Sequence, residues 1–224
     1  MYPIFASFII FVIFLSWSLH RHKNDDRLKT ESFFRKESEA NASRKKSIED
    51  LPYIQLPSHL FVPFERTISN LNEQSKTHEI TADDIEYINE LYLRLESLAN
   101  KKIINLTGIS NTDLKLSYGV ANLMPLSSYD QNYTSLIKTL QSISAFYYKI
   151  GFPLLAKDFL EFSVQTKSDI TSTYLLLAKI YFELGELDKI DILLQSTEHI
   201  PGSQKAIIDR KLKEFCQSLD SLHS

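Results

Sequence analysis

Six histidines (His20, His22, His59, His78, His199 and His223), a lone Cys216 and a few acidic pairs are what this chain offers for chemistry. A metal centre needs three or four such ligands at spacings that bring them to one point, for example i and i+4 on a helix face. None of the histidines has a companion at that spacing, so they read as surface residues. One cysteine excludes an intrachain disulfide, is too few for a thiolate metal site, and fits a reducing compartment. Five glycines leave no room for a phosphate-cradling loop, and no nucleophile elbow is present. Asp83 with Asp84, and Asp188 with Asp191, read as helix-start charges and not as a catalytic carboxylate pair. The one neighbourhood left for an enzyme is 103–133, with Asn105, Thr107, Asn111, Asp113 and Tyr118. The reading is therefore no catalytic residue, no cofactor, no metal and no small-molecule substrate.

What must position any functional surface is a set of helices. The chain has 224 residues, with 43% hydrophobic and 24% charged, enough apolar material for a core. Few Gly and Pro suit helices better than a β-sandwich. A net charge of -3 argues against a nucleic-acid partner. The charge is uneven: residues 21–46 carry a local +4, and the rest carries -7.

Residues 2–19 are apolar and uncharged, long enough at about 1.5 Å per residue to span a bilayer core. Tyr2 and Trp17 sit near the two ends, where aromatic rings favour the interface. No basic residue precedes the run, which disfavours a cleaved signal peptide. Segment 1–20 is thus expected to be a transmembrane anchor. Arg21, Lys23, Arg27 and Lys29 follow it, which implies a single-pass protein of the cell membrane with its N-terminus outside and its C-terminal domain cytoplasmic. Residues 21–50 read as a charged tether, disordered or loosely helical.

From residue 51 the pattern turns to packed helices. Residues 51–57 read as extended, because residues before Pro avoid the helix. Pro63 opens a helix with Phe64, Ile68 and Leu71 on one face. Thr81 and Asp84 have the form of a capping box. The helix they open carries Ile85, Ile88, Leu91, Tyr92, Leu95 and Leu98. Residues 103–112 are the least helical part. Asn111 or Thr112 is expected to cap a helix that Pro125 stops, with the next running from Tyr129 to about Ile150.

One pattern then occurs twice at a spacing of 34. Leu140 pairs with Tyr174, Ile143 with Leu177, Ser144 with Ala178, and Tyr147 with Tyr181. Gly151 pairs with Gly185, Ala156 with Ile190, Leu160 with Leu194, and Ser163 with Thr197. That period belongs to stacked helical hairpins. Expected helices are 129–150 with 153–167, then 169–184 with 186–199, then a capping helix 204–220. In these residues the chain resembles the tetratricopeptide repeat family over 137–204. Ile190, Asp169 and Gly202 depart from its preferences, and residues 51–136 do not match it. The expected organisation is 1–20 anchor, 21–50 tether, 51–136 upstream helices, and 137–224 two hairpins plus a capping helix. The fold class is all-α, a right-handed α-solenoid behind the anchor.

The resemblance implies a concave groove lined by the first helix of each hairpin. Its positions here are Lys138, Gln141, Ala145, Tyr148 and Lys149 in one unit, and Ser172, Leu175, Lys179 and Phe182 in the other. That surface suits a peptide of acidic and apolar character. Gln141, Ala145 and Leu175 do not supply the family's Lys and Asn clamp for a C-terminal carboxylate. The function expected is a membrane-tethered adaptor or scaffold that binds a protein or peptide. The alternatives are a structural subunit of an obligate membrane complex, and an enzyme with a site near 103–133.

Overall fold

The computed structural model describes residues 26–61 and 80–223, with Phe11, Phe14 and Trp17; of 219–223 it describes the backbone alone. Among these residues there is no strand. The helices are α1 (26–41), α2 (Ala82–Ala99), α3 (Asn111–Tyr118), α4 (Leu123–Lys149), α5 (Pro153–Gln165), α6 (Thr171–Glu183), α7 (Asp188–Ser196) and α8 (Ser203–His223). The expected helix from Pro63, with Phe64, Ile68 and Leu71, lies outside the described residues.

The transmembrane anchor expected over 1–20 is not upheld. Among the described residues no helix is long and apolar enough to cross a membrane. The longest, α4, has 27 residues but carries Asp130, Lys138 and Lys149. The next, α8, carries Lys205, Asp209, Arg210, Lys211, Lys213 and Glu214. Segment 1–20 itself, Phe11, Phe14 and Trp17 apart, lies outside the described residues. The single-pass arrangement and the cell-membrane location, N-terminus outside and domain cytoplasmic, are corrected along with the anchor.

The chain divides into two compact units. One comprises 1–49 and 109–124, the other 50–108 and 125–224. In the first, residues 26–41 are helical, although their composition offers no apolar stripe. Ion pairs and hydrogen bonds to α3 hold them, and Ala40 is buried. The cap of α3 is Ser110, one residue before the expected Asn111 or Thr112; its hydroxyl accepts from the Asp113 N–H at 3.2 Å. That helix ends at Gly119, whose φ of 86° lies in the region that favours glycine. Pro125 then opens a helix instead of stopping one. It sits in the first turn of α4, where its missing N–H has no intrahelical partner to lose.

The second unit holds the main core. The capping box expected at the start of α2 is present, with Thr81 Oγ1 accepting from the Asp84 N–H and Asp84 accepting from the Thr81 N–H. The Thr81 hydroxyl and N–H, with Lys149 beside them, hold the Asp84 carboxyl below its usual range. Helix α2 runs antiparallel to α4. Asp84 meets Lys149 at one end (3.4 Å), and the Lys102 carbonyl accepts from Asn132 at the other (3.0 Å). Between them Tyr92 and Tyr147 share a buried hydroxyl contact of 2.9 Å. Residues 103–106 are non-helical yet supply Ile103, Ile104 and Leu106 to the interior.

Positions 34 apart are alike in three dimensions. Leu140 and Tyr174, Ile143 and Leu177, Ser144 and Ala178, Tyr147 and Tyr181, Ala156 and Ile190, and Ser163 and Thr197 are all buried pairs. The turns match bond for bond. Phe152 N–H donates to the Tyr147 carbonyl and Gly151 N–H to Tyr148; Glu186 N–H donates to Tyr181 and Gly185 N–H to Phe182. This is the Schellman closure, which needs a left-handed residue, and Gly151 (φ 87°) and Gly185 (φ 73°) supply it.

The end of α5 has the same closure with Lys167 in the left-handed place, at φ 64°. A side chain there costs about 1–2 kcal/mol against glycine, less the greater freedom glycine loses on folding. Lys167→Gly should therefore stabilise the fold, by up to about 1 kcal/mol, measured as a raised urea midpoint with an unchanged slope.

Candidate functional site

Helices α4 and α6 run side by side in the same direction. Thr173 Oγ1, near the start of α6, donates to Gln141 Oε1 in the last third of α4 (2.7 Å), and Tyr148 hydroxyl donates to Glu183 Oε1 (2.5 Å) at the ends of both. The candidate residues lie along this pair. Lys138, Ala145, Lys149, Ser172 and Lys179 are exposed. Tyr148, Leu175 and Phe182 are half-buried and pack their inner edges on the core. Gln141 is committed to Thr173, and Lys149 turns away to Asp84 on α2.

The centre of the surface is Tyr148. The Lys179 ammonium lies 5.0 Å from its ring centroid while its hydroxyl holds Glu183. Partial burial, then Glu183, pushes the Tyr148 hydroxyl above its ordinary value; Tyr148 in turn pushes Lys179 up. Both groups therefore keep their protons at neutral pH: a neutral phenol and a cation share one spot. An aromatic ring clamped from two sides loses little freedom on binding, which suits a contact anchor. Lys179 and Lys138 can meet carboxylates, and Tyr148, Phe182, Leu175 and Ala145 can meet apolar side chains.

Glu183 and Thr173 were missing from the sequence-derived set. Glu183 stands 34 residues after Lys149, so the repeat itself pointed to it. Thr173 gave no such signal, because its role depends on which rotamer reaches the neighbouring helix.

A concavity opens between α5, α6 and α7, with a volume of about 320 Å³. Val164, Leu177, Tyr181, Ile192 and Leu193 form its apolar walls. Glu161 and Lys189 stand at its rim, 3.6 Å apart, and Tyr181 hydroxyl donates to Glu161. Ile192 on the wall is 63% exposed.

The polar residues of 103–133 are divided between the two units. Asn105 and Thr107 belong to one unit; Asn111, Asp113 and Tyr118 belong to the other. Asn105 donates to the Thr166 and Lys167 carbonyls, closing the α5 turn, and Asp113 pairs with Lys36. Among the described residues no group of three or more His, Cys, Asp or Glu could hold a metal ion. His20, His22 and His78 lie outside the described residues. No family model, curated protein or solved structure matches the chain.

Proposed function

We propose that the unit of 50–108 and 125–224 is a protein-interaction module of the tetratricopeptide type, an adaptor whose α4–α6 surface takes a peptide of acidic and apolar character. The observation that carries this reading is the Tyr148–Lys179–Glu183 cluster, which ties the outer faces of two parallel helices into one surface. The matched turns at Gly151 and Gly185 support it, because both first helices end in the same closure 34 residues apart. The contact chemistry is charge on Lys138 and Lys179 beside the Tyr148 and Phe182 rings.

The test places a photocrosslinking residue at Ala145, on this surface, or at Leu93, exposed on α2, in the full chain. Crosslinks from Ala145 and not from Leu93 are expected. Tyr148→Ala and Lys179→Glu should each weaken binding of the captured partner's peptide about tenfold, or about 1.4 kcal/mol. Equal capture from both positions would overturn the reading. A partner held in fixed stoichiometry and indifferent to both substitutions would instead make the chain a subunit of an obligate complex.

A further inference from the structure

The unit of 1–49 and 109–124 is held together by polar contacts. Lys36 Nζ is 2.7 Å from Asp113 Oδ1. Glu37 pairs with Lys115 and accepts from Thr112 Oγ1, and Lys115 also donates to Asn41 Oδ1 at 2.8 Å. The Lys115 and Thr112 donors hold the Glu37 carboxyl below its usual range. Among the described residues of α1, Ala40 alone is fully buried.

Beyond α1 the chain enters a different kind of contact. Lys46 N–H donates to the Tyr118 carbonyl at 3.1 Å. The Lys46 carbonyl accepts from Asn122 Nδ2 at 2.7 Å, and its ammonium donates to the Leu116 carbonyl at 3.3 Å. Both main-chain groups of one residue are thus gripped, as they would be on the edge of a sheet. This grip asks nothing of the side chain. The ammonium adds a preference, because it meets the negative end of the α3 dipole.

The slot is built for this. Asn122 is 1% exposed, and its second amide contact, to the Tyr118 carbonyl at 2.7 Å, fixes its rotamer. At Gly119 any Cβ would run into the carbonyl group of Arg44, so glycine is what lets the segment lie close.

We propose that the C-terminal end of α3, with Gly119 and Asn122, is a binding slot for a non-helical, lysine-bearing peptide, and that residues 43–48 fill it as a detachable ligand in cis. The contacts that keep α1 docked are polar: Lys36–Asp113 and Lys115–Asn41 are exposed and screened by salt, and Glu37–Lys115 is part-exposed, so arm and slot separate without unfolding of the rest. This site is distinct from the α4–α6 surface and stands or falls without it.

The probe is a fluorescent peptide with the sequence of residues 41–49. In the full chain, Lys36→Glu with Glu37→Lys loosens the arm and leaves the slot untouched. The loosened chain should bind the peptide at least tenfold more tightly than the native chain. Adding Asn122→Ala should remove that gain, and a peptide with alanine for Lys46 should bind more weakly. Equal binding by native and loosened chains, or indifference to Asn122→Ala, would overturn the proposal. Amide exchange on the native chain gives a second reading should the loosened variant fail to fold. In about 1 M salt, the Lys46 amide and those of 26–41 should lose protection while 133–147 keep theirs. Loss of both together would show one cooperative fold and no detachable arm.

Discussion

Tyr174→Ala is expected to lower the free energy of unfolding by about 3–5 kcal/mol, the range for removing a large aromatic side chain from a packed interior. Tyr174 is fully buried on α6, the helix that touches α5, α7 and α8. Leu177, Ala178 and Ile180 are buried on the same helix, so the interior around it is packed on several positions of α6. Its hydroxyl donates to the Ser168 carbonyl at 2.8 Å, holding the turn between α5 and α6. Tyr174→Phe keeps the ring and removes that bond, so it should cost about 1–2 kcal/mol. The difference between the two variants isolates packing from the hydrogen bond. Domains of this size are commonly stable by about 5–15 kcal/mol, so the alanine variant stands near the edge of folding. Urea unfolding followed by far-UV circular dichroism measures both. An alanine cost below about 1 kcal/mol would mean that α6 is not central to the cooperative fold.

What the sequence makes legible follows the range of the interactions concerned. The capping box at Thr81 and Asp84 spans three residues, so its partners are visible in the chain itself. The glycines at 151 and 185 are legible for the same reason, since a left-handed closure is a local demand. Pro125 shows where local reading divides. A proline stops a helix that reaches it from behind and starts one that begins beside it, and only the break at Gly119 decides which. The docking of 26–48 was not legible. Its partners lie 70 to 78 residues away, and they are charges and amides with no periodic apolar signature. The candidate surface sits between these cases. Its positions follow from the spacing of 34 and the resemblance; that spacing also reaches Glu183 from Lys149, but the Glu183 contact with the Tyr148 hydroxyl is a matter of side-chain reach that spacing does not fix. Composition marked 103–112 as the least helical part, and 103–106 is non-helical; that it would supply Ile103, Ile104 and Leu106 to the core was not legible.

The buried tyrosines make alkaline unfolding the other large expected effect. Tyr133, Tyr147 and Tyr174 are each no more than 2% exposed. Burial is the main cause that pushes their hydroxyls above the ordinary value of 10.0; Asp169 adds to it at Tyr133 and Tyr174, and Tyr92 adds to it at Tyr147. A raised folded value favours the protonated form in the native state. Below pH 10 both states hold the proton and the contribution is complete. Above pH 10 the unfolded chain releases protons that the native state retains, so stability falls as pH rises. Each such tyrosine removes about 1.4 kcal/mol per pH unit, and three together about 4 kcal/mol per unit. A domain of ordinary stability should therefore unfold within about two to three units above pH 10. Tyrosinate absorbance from these three should appear together with the loss of helix, not before it. Tyr133→Phe removes one titrating group but also the donor to the Lys167 carbonyl, a contact of 2.9 Å. It should lower stability at pH 7 by about 1–2 kcal/mol and make the alkaline slope shallower by about 1.4 kcal/mol per pH unit. Tyrosinate forming well below the unfolding pH would sink the account, because it would show these hydroxyls open to solvent in the native state.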